Sequence, residues 1–257
     1  MDFHPVEANL RQSFRVLADG RPRADLIELP GITIASLAVA FQMFNAAFLS
    51  APVADREDLE DRLELARGHF RSRGLSWAFW VCEDYLDLSV RRRLTPTCER
   101  YGLRLSSEMP GMIAPVLVKP GRPLPPLEFR RVDSLPTLND FRGIGSICFH
   151  VPLEWFSEVF DESVTAPRAA FVCWVGYYDG VPVATAASVA SDGVTGLYNI
   201  ATAPGYRGRA FAEAITRHTA AAAGPCPLVL QSTSRGLRLY ERLGFRPVTR
   251  ILVYNSV

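Results

Sequence analysis

The chain has 257 residues, 48% of them hydrophobic and 21% charged, with 28 Lys and Arg against 27 Asp and Glu and a formal net charge of +1. The length allows one large domain or two small ones, and the composition excludes a disordered or fibrous chain. The near-neutral balance gives no global attraction to nucleic acid or to an anionic membrane, so any anion site must be local. The five cysteines are odd in number and far apart, with no CxxC pair. That argues against a disulfide framework and a cysteine zinc site, and it predicts a cytoplasmic protein without a metal.

Along the chain, the opening MDFHPVEANL is acidic and polar, unlike a signal peptide. Residues 31–53 are long and apolar enough to raise a membrane span, but Gln42 and Asn45 interrupt them, and two buried strands with a turn are expected instead. Ile32–Ala40 and Phe44–Ser50 read as strands, Asp55–Arg73 as an amphipathic helix, Ser76–Cys82 as a strand, Val90–Tyr101 as a helix and Leu103–Val118 as extended chain. Lys119–Pro126 (KPGRPLPP) carries four prolines and a glycine, which neither helix nor central strand accepts. It divides the chain into halves of residues 1–120 and 127–257.

In the second half, Leu127–Val132 reads as a strand, followed by helices at Leu135–Phe149 and Leu153–Asp161. Strands follow at Ala170–Tyr178, Val181–Ala190 and Val194–Thr202, separated by Asp-Gly turn signals. A helix at Arg207–Ala223, a short strand at Leu228–Gln231, a helix at Ser234–Leu243 and a strand at Phe245–Tyr254 complete it. The expected class is α/β with a mixed sheet, in the order β-α-α-β-β-β-α-β-α-β. A faint repeat links Glu99-Arg100-Tyr101-Gly102-Leu103-Arg104 with Glu241-Arg242-Leu243-Gly244-Phe245-Arg246, each ending a helix and opening a strand.

The chemistry concentrates at Asn199–Glu213 (NIATAPGYRGRAFAE). A strand ends there, a Pro/Gly turn follows, and a helix opens among Gly205, Gly208, Ala210 and Ala212. Small residues admit a bulky ligand to the backbone. The first helical turn offers unpaired N–H groups and the positive end of the dipole, which suits a pyrophosphate. Arg207 and Arg209 add charge beside it. The dipole alone is worth only about 0.3–1 kcal/mol, so several donors must act together. No Gly-Lys-Ser/Thr follows, which excludes a Walker A loop.

Arg207-Gly208-Arg209-Ala210-Phe211-Ala212 and Leu239-Tyr240-Glu241-Arg242-Leu243-Gly244-Phe245, with the element order around them, resemble the two signature motifs of the GNAT superfamily of acyl-CoA-dependent N-acyltransferases. The resemblance covers about 130 residues of the second half. It implies a GNAT fold there and acetyl-CoA as acyl donor. It also implies that Ile200, Ala201 and Thr202 pair with the pantetheine arm as a pseudo-strand, and that the amides of Gly208 to Ala212 hold the pyrophosphate. Thr233, with Ser232 and Ser234 beside it, stands where the family often carries a pantetheine-binding asparagine. Tyr240 matches the tyrosine that protonates the departing thiolate. The implied reaction is direct attack by a primary amine, of a small molecule or a peptide, with no nucleic-acid or membrane partner; a homodimer is compatible with it.

Two positions depart from the family pattern. Ala210 replaces the central glycine of the first motif, and residues 193–202 hold no carboxylate to serve as general base. Asp192 just before that window, Asn199 with a water, His150 and His218 are the alternatives, and a water chain or an amine that arrives neutral would remove the need for a base. The first half reads as a degenerate copy: acids crowd the start of its Asp55–Arg73 helix, and Cys98 stands at the position of Tyr240. It is expected not to bind CoA but to wall the acceptor cleft, with Glu83, Asp84 and Asp87 as possible contacts for a cationic amine. An acyl-CoA sensor without catalysis, or an interaction protein of the same fold, are the competing readings.

Overall fold

The computed structural model describes residues 2–257. The first half runs α1 (His4–Ala18), β1 (Asp25–Leu29), β2 (Ile32–Ser36), β3 (Asn45–Leu49), α2 (Arg56–Arg73), β4 (Ala78–Cys82), α3 (Leu88–Arg100) and β5 (Leu103–Ala114). The second runs β6 (Glu128–Arg131), α4 (Leu135–Phe149), α5 (Leu153–Val159), β7 (Val172–Tyr178), β8 (Val181–Ser191), β9 (Val194–Thr202), α6 (Phe211–Ala223), β10 (Leu228–Gln231), α7 (Leu237–Leu243) and β11 (Arg246–Ser256). The apolar stretch at 31–53 forms β2, a 3-10 turn and β3. No helix among the described residues is long and apolar enough to cross a membrane.

The eleven strands among the described residues share one mixed sheet, in the order β1-β2-β3-β4-β11-β5-β10-β9-β8-β7-β6. The two halves exchange their last strands. The final strand, β11, lies between β4 and β5, while β5 lies between β11 and β10. From α1 onward the first half repeats the order that the second half follows from its helices α4 and α5. In both, three strands in antiparallel succession precede a helix, and the third strand pairs in parallel with the strand after that helix. The Glu99–Arg104 and Glu241–Arg246 segments occupy matching places, and Gly102 (φ +74°) and Gly244 (φ +99°) turn the chain from helix to strand in left-handed conformations that glycine accepts without steric cost.

Helix α1 and strand β1 are absent from the expectations, although in α1 Val6, Leu10, Phe14 and Leu17 recur at helical spacing and all are buried. The helix lies against both halves: Asn9, fully buried, donates to the Val189 carbonyl (3.0 Å) and the Ser191 hydroxyl (2.7 Å), and accepts from the Tyr198 hydroxyl (2.5 Å). Helix α6 begins at Phe211 rather than at Arg207. Residues 207–210 form a loop instead, because Gly208 (φ +79°) and Ala210 (φ +63°) both take left-handed conformations that a right-handed helix cannot contain. Helix α7 likewise starts at Leu237, after a turn in which the Gly236 N–H donates to the Thr233 carbonyl at 3.0 Å.

Candidate active site

Strand β9 controls the opening of the sheet. Its parallel pairing with β10 stops after Thr195 and Gly196, so Leu197–Thr202 runs on without a strand on that side. On its other side the register with β8 shifts between Thr185 and Ala187. The residue at the shift is Asn199, at φ +50°, whose carbonyl accepts from the Thr185 hydroxyl (2.9 Å). Such a bulge bends a strand and re-aims its side chains, and here it accompanies the splay from β10.

The gap widens into a cleft of about 640 Å³. Ile200, Ala201 and Thr202 line it from β9; Arg207, Gly208, Ala210, Phe211 and Ala212 from the loop and first turn of α6; Thr233, Ser234 and Tyr240 from β10 onward. The fold thus brings together every predicted site residue except the Arg209 side chain, which lies over the Tyr206 ring at 5.6 Å. The Thr202 carbonyl is already engaged by Arg207 Nε (3.2 Å) and Cys148 Sγ (3.3 Å), and Ala201 is in register with Thr185 of β8 on the other side.

At the start of α6, the Ala214 N–H donates to the Ala210 carbonyl, and no side chain caps the helix. Among the described residues, the N–H groups of Gly208 to Glu213 find no acceptor in the protein. Six consecutive donors, Gly208 to Ala210 in the loop and Phe211 to Glu213 in the first turn of α6, make a cradle of the kind that suits an anion. Three further arginines, Arg122, Arg235 and Arg242, line the same cleft. Sequence reasoning missed them because their positions depend on the fold. Arg122 comes from the proline-rich segment, which is tied to α7 through the Val118 N–H and the Leu243 carbonyl (2.9 Å).

Tyr240 sits on α7 with its ring edge-on to Phe245, and it is 8% exposed. A side chain at Gly236 would meet the Tyr240 ring at 2.8 Å, so glycine there keeps space for that ring. The Tyr240 hydroxyl makes no hydrogen bond to the protein, and burial pushes its pKa up. The group therefore stays protonated through neutral pH, as a proton donor requires.

Of the candidate bases, His150 lines the cleft and is exposed at the end of α4. His218 does not line it; it stacks on Phe129 (4.1 Å) beside Trp174, where burial pushes its pKa down. Asn199 lines a second cavity, with its side-chain nitrogen buried and unpartnered. That cavity, of about 360 Å³, adjoins the cleft: both are lined by Phe149, Ile200, Thr233 and Tyr240. The first half supplies much of its wall, through Phe14 on α1, Phe44, Trp80 on β4 and Met109 on β5.

The acidic loop at 83–87 lies elsewhere. Glu83 pairs with Arg250 (2.6 Å), and Asp87 caps α3 by accepting from the Val90 N–H (2.9 Å). The matching region of the first half is closed by its own side chains. Asp55 caps α2 by accepting from the Asp58 N–H (2.9 Å), and the Ala54 N–H donates to Asp58 (2.8 Å). The Arg62 guanidinium fills the space beside them, donating to the Ala51 and Pro52 carbonyls (2.8 Å each) and to Asp58. Cys98 is fully buried, and its thiol pKa is raised by that burial.

Comparison with solved structures gives likenesses of fold over nearly the whole chain. A GCN5-related N-acetyltransferase from Kribbella flavida superimposes with a TM-score of 0.73 at 19% identity, covering 98% of this chain and 94% of that one. A conserved protein of unknown function from Staphylococcus epidermidis gives a TM-score of 0.68 at 13% identity, with 93% and 96% covered. A GCN5-related N-acetyltransferase from Sphaerobacter thermophilus gives 0.55 at 16% identity, with 91% and 80% covered. A search of curated proteins finds no match. The model of the GNAT acetyltransferase domain matches residues 169–247, which hold β7 to β10, the α6 cradle and Tyr240. Over that span the chain is similar to the GNAT acetyltransferase domain, and the solved structures share its fold.

Proposed function

We propose that the protein is an N-acetyltransferase that moves an acetyl group from acetyl-CoA to a primary amine by direct attack. The observation that carries this is the run of six unpaired N–H groups at Gly208–Glu213, opening on the same cleft as the buried, protonated Tyr240 hydroxyl. In this reading the cradle holds the pyrophosphate, with Arg122, Arg207, Arg235 and Arg242 supplying charge. The pantetheine arm runs along the free edge of β9 at Ile200 and Ala201, held by backbone hydrogen bonds as an added strand. Thr233 and Ser234 flank it.

The amine nitrogen forms the new C–N bond at the thioester carbonyl, and a tetrahedral oxyanion results. Its collapse breaks the C–S bond. The thiolate takes the Tyr240 proton, the nitrogen loses its own proton to solvent, and solvent restores Tyr240. The backbone of β9 near Ala201 is the source of an N–H to polarise the carbonyl. The first half is, in this reading, a degenerate copy of the second that has lost its CoA site and serves as the acceptor wall.

Calorimetric titration with acetyl-CoA tests the donor site. Micromolar binding, weakened at least tenfold by Arg207→Glu, is expected. Absence of binding at millimolar ligand would leave an interaction protein. Binding without turnover on any amine would leave a sensor.

A further inference from the structure

The second cavity has a chemical character distinct from the cleft it joins. The cleft carries four arginines, His150 and Glu213, whereas among the described residues the cavity wall carries no Asp, Glu, Lys, Arg or His. Its titratable side chains are Tyr198 and Tyr240 alone. The rest of the wall is mostly apolar: Phe14 meets Phe44 (5.1 Å) and Trp80 (5.2 Å), and Phe156 meets Phe160 (4.8 Å) from the opposite half. The buried polar group left without a partner in that wall is Asn199 Nδ2, an uncharged donor. At about 360 Å³ the space is within the range of small-molecule sites.

These features decide between classes of acceptor. A polycation entering this space would lose its hydration and meet no carboxylate, which is costly. An aromatic ring would be surrounded by edges and faces of other rings, the arrangement aromatic pairs favour. The same apolar wall solves the missing-base problem. Burial without a counter-charge favours the neutral form of an amine, so the cavity itself selects the nucleophilic state. Tyr240 and Ile200 belong to both spaces, so an amine in the cavity stands next to the point where the thioester would lie.

We propose that this cavity is the acceptor site and that it takes an aromatic monoamine, a ring on a short chain bearing one primary amine, rather than a polyamine or an aminoglycoside. The proposal rests on the acetyl-transfer reading for its chemistry but not for its binding site.

The test combines binding without donor and turnover with it. Titration of 4-phenylbutylamine into the full-length protein without CoA, read by tryptophan fluorescence and calorimetry, is expected to give saturable binding. Spermidine and kanamycin are expected not to bind. With acetyl-CoA, kcat/KM for 4-phenylbutylamine should exceed that for spermidine at least 100-fold. Ser107→Phe, which fills the cavity from β5, should cut amine binding at least tenfold and leave acetyl-CoA affinity within twofold. Ser107→Asp, which places a carboxylate there without adding a ring, should narrow the preference over spermidine at least tenfold and serves if the Phe variant does not fold.

Acetyl-CoA binding together with a preference for spermidine or kanamycin overturns this inference and leaves the acetyl-transfer reading standing. Amine binding blocked by Ser107→Phe, in a protein that does not bind acetyl-CoA, upholds the cavity and overturns the acetyl-transfer reading. Hexanoyl-CoA binding at least tenfold tighter than acetyl-CoA, with the difference abolished by Ser107→Phe, makes the cavity an acyl-chain site and overturns the inference.

Discussion

Ala210 is held at φ +63° between the cleft and helix α6, where an L side chain costs about 1–2 kcal/mol. The family resemblance has glycine at this place, and the structure keeps the backbone that a glycine would take. Ala210→Gly relieves that strain but adds freedom to the unfolded chain, worth about 0.4–1 kcal/mol in the opposite direction. The net expectation is a gain of roughly 0.5–1 kcal/mol, read as a melting temperature about 1–3 °C higher by calorimetry. A fall in melting temperature would show that position 210 is not held left-handed. At Tyr240 the arithmetic concerns activity. Tyr240→Phe keeps the ring against Phe245 and removes the proton, so kcat should fall about 10²–10⁴-fold with acetyl-CoA affinity unchanged. Burial raises the pKa of this hydroxyl above its ordinary value near 10, so its protonated form survives below that pH and is lost only above it. The kcat profile of the wild type should therefore show no descending limb below about pH 10 from this group. A limb near pH 8 that Tyr240→Phe removes would sink the assignment. Both residues were legible in the sequence because the motifs fix their neighbours. Arg122, Arg235 and Arg242 were not, since a proline-rich segment and the turn and helix after β10 converge on the cleft only in three dimensions.

Helices α2 and α6 follow matching strands in the two halves but start in opposite chemical states. The start of α6 leaves its donors open. The start of α2 is capped by Asp55, which accepts from the Asp58 N–H, while the Asp58 carboxylate accepts from the Ala54 N–H before the helix and holds Arg62 over it. Arg62 is 8% exposed and donates to the backbone carbonyls of Ala51 and Pro52 as well as to Asp58. Truncating it strands buried carbonyls and leaves Asp58 without its partner, so Arg62→Ala should destabilise the protein by about 3 kcal/mol. Asp55→Ala should cost about 1 kcal/mol through the cap alone. Urea midpoints with unchanged slopes would check both, and a change below 0.5 kcal/mol for Arg62→Ala would reduce its network to a surface pair. Element types and most boundaries were readable because alternating apolar strands and Asp-Gly turns mark the second half. Helix α1 went unread although its apolar spacing was present. Its role depends on Asn9 reaching Val189 and Tyr198, contacts about 180 residues away that no local pattern announces.

The sheet as a whole has no seam between the halves. Strand β11 borders β4 over residues 251–255 and β5 over most of its length, while β5 also holds β10 through Gly111–Ala114. Helix α1 crosses the same junction, and the second cavity takes its wall from both sides. The proline-rich segment marks a division in sequence, but hydrogen bonding runs across it. If residues 127–257 were made alone, β11 would lose both neighbours and β10 one of them. Residues 1–120 alone would leave β5 bare on both edges. Unpaired edges of this length are aggregation-prone, and each fragment would also expose core residues such as Phe14, Leu197 and Val253. The full chain should therefore melt in one transition with equal calorimetric and van't Hoff enthalpies, despite its two-part order. Each half expressed alone should lack a cooperative melt and a dispersed amide spectrum. Co-expressed, the halves should form a 1:1 complex that melts cooperatively and binds acetyl-CoA, because the cradle at Gly208–Glu213 and the β5–β11 pairing are then both restored. A stable, CoA-binding fragment of residues 127–257 would instead show that the exchanged strands are dispensable to the site.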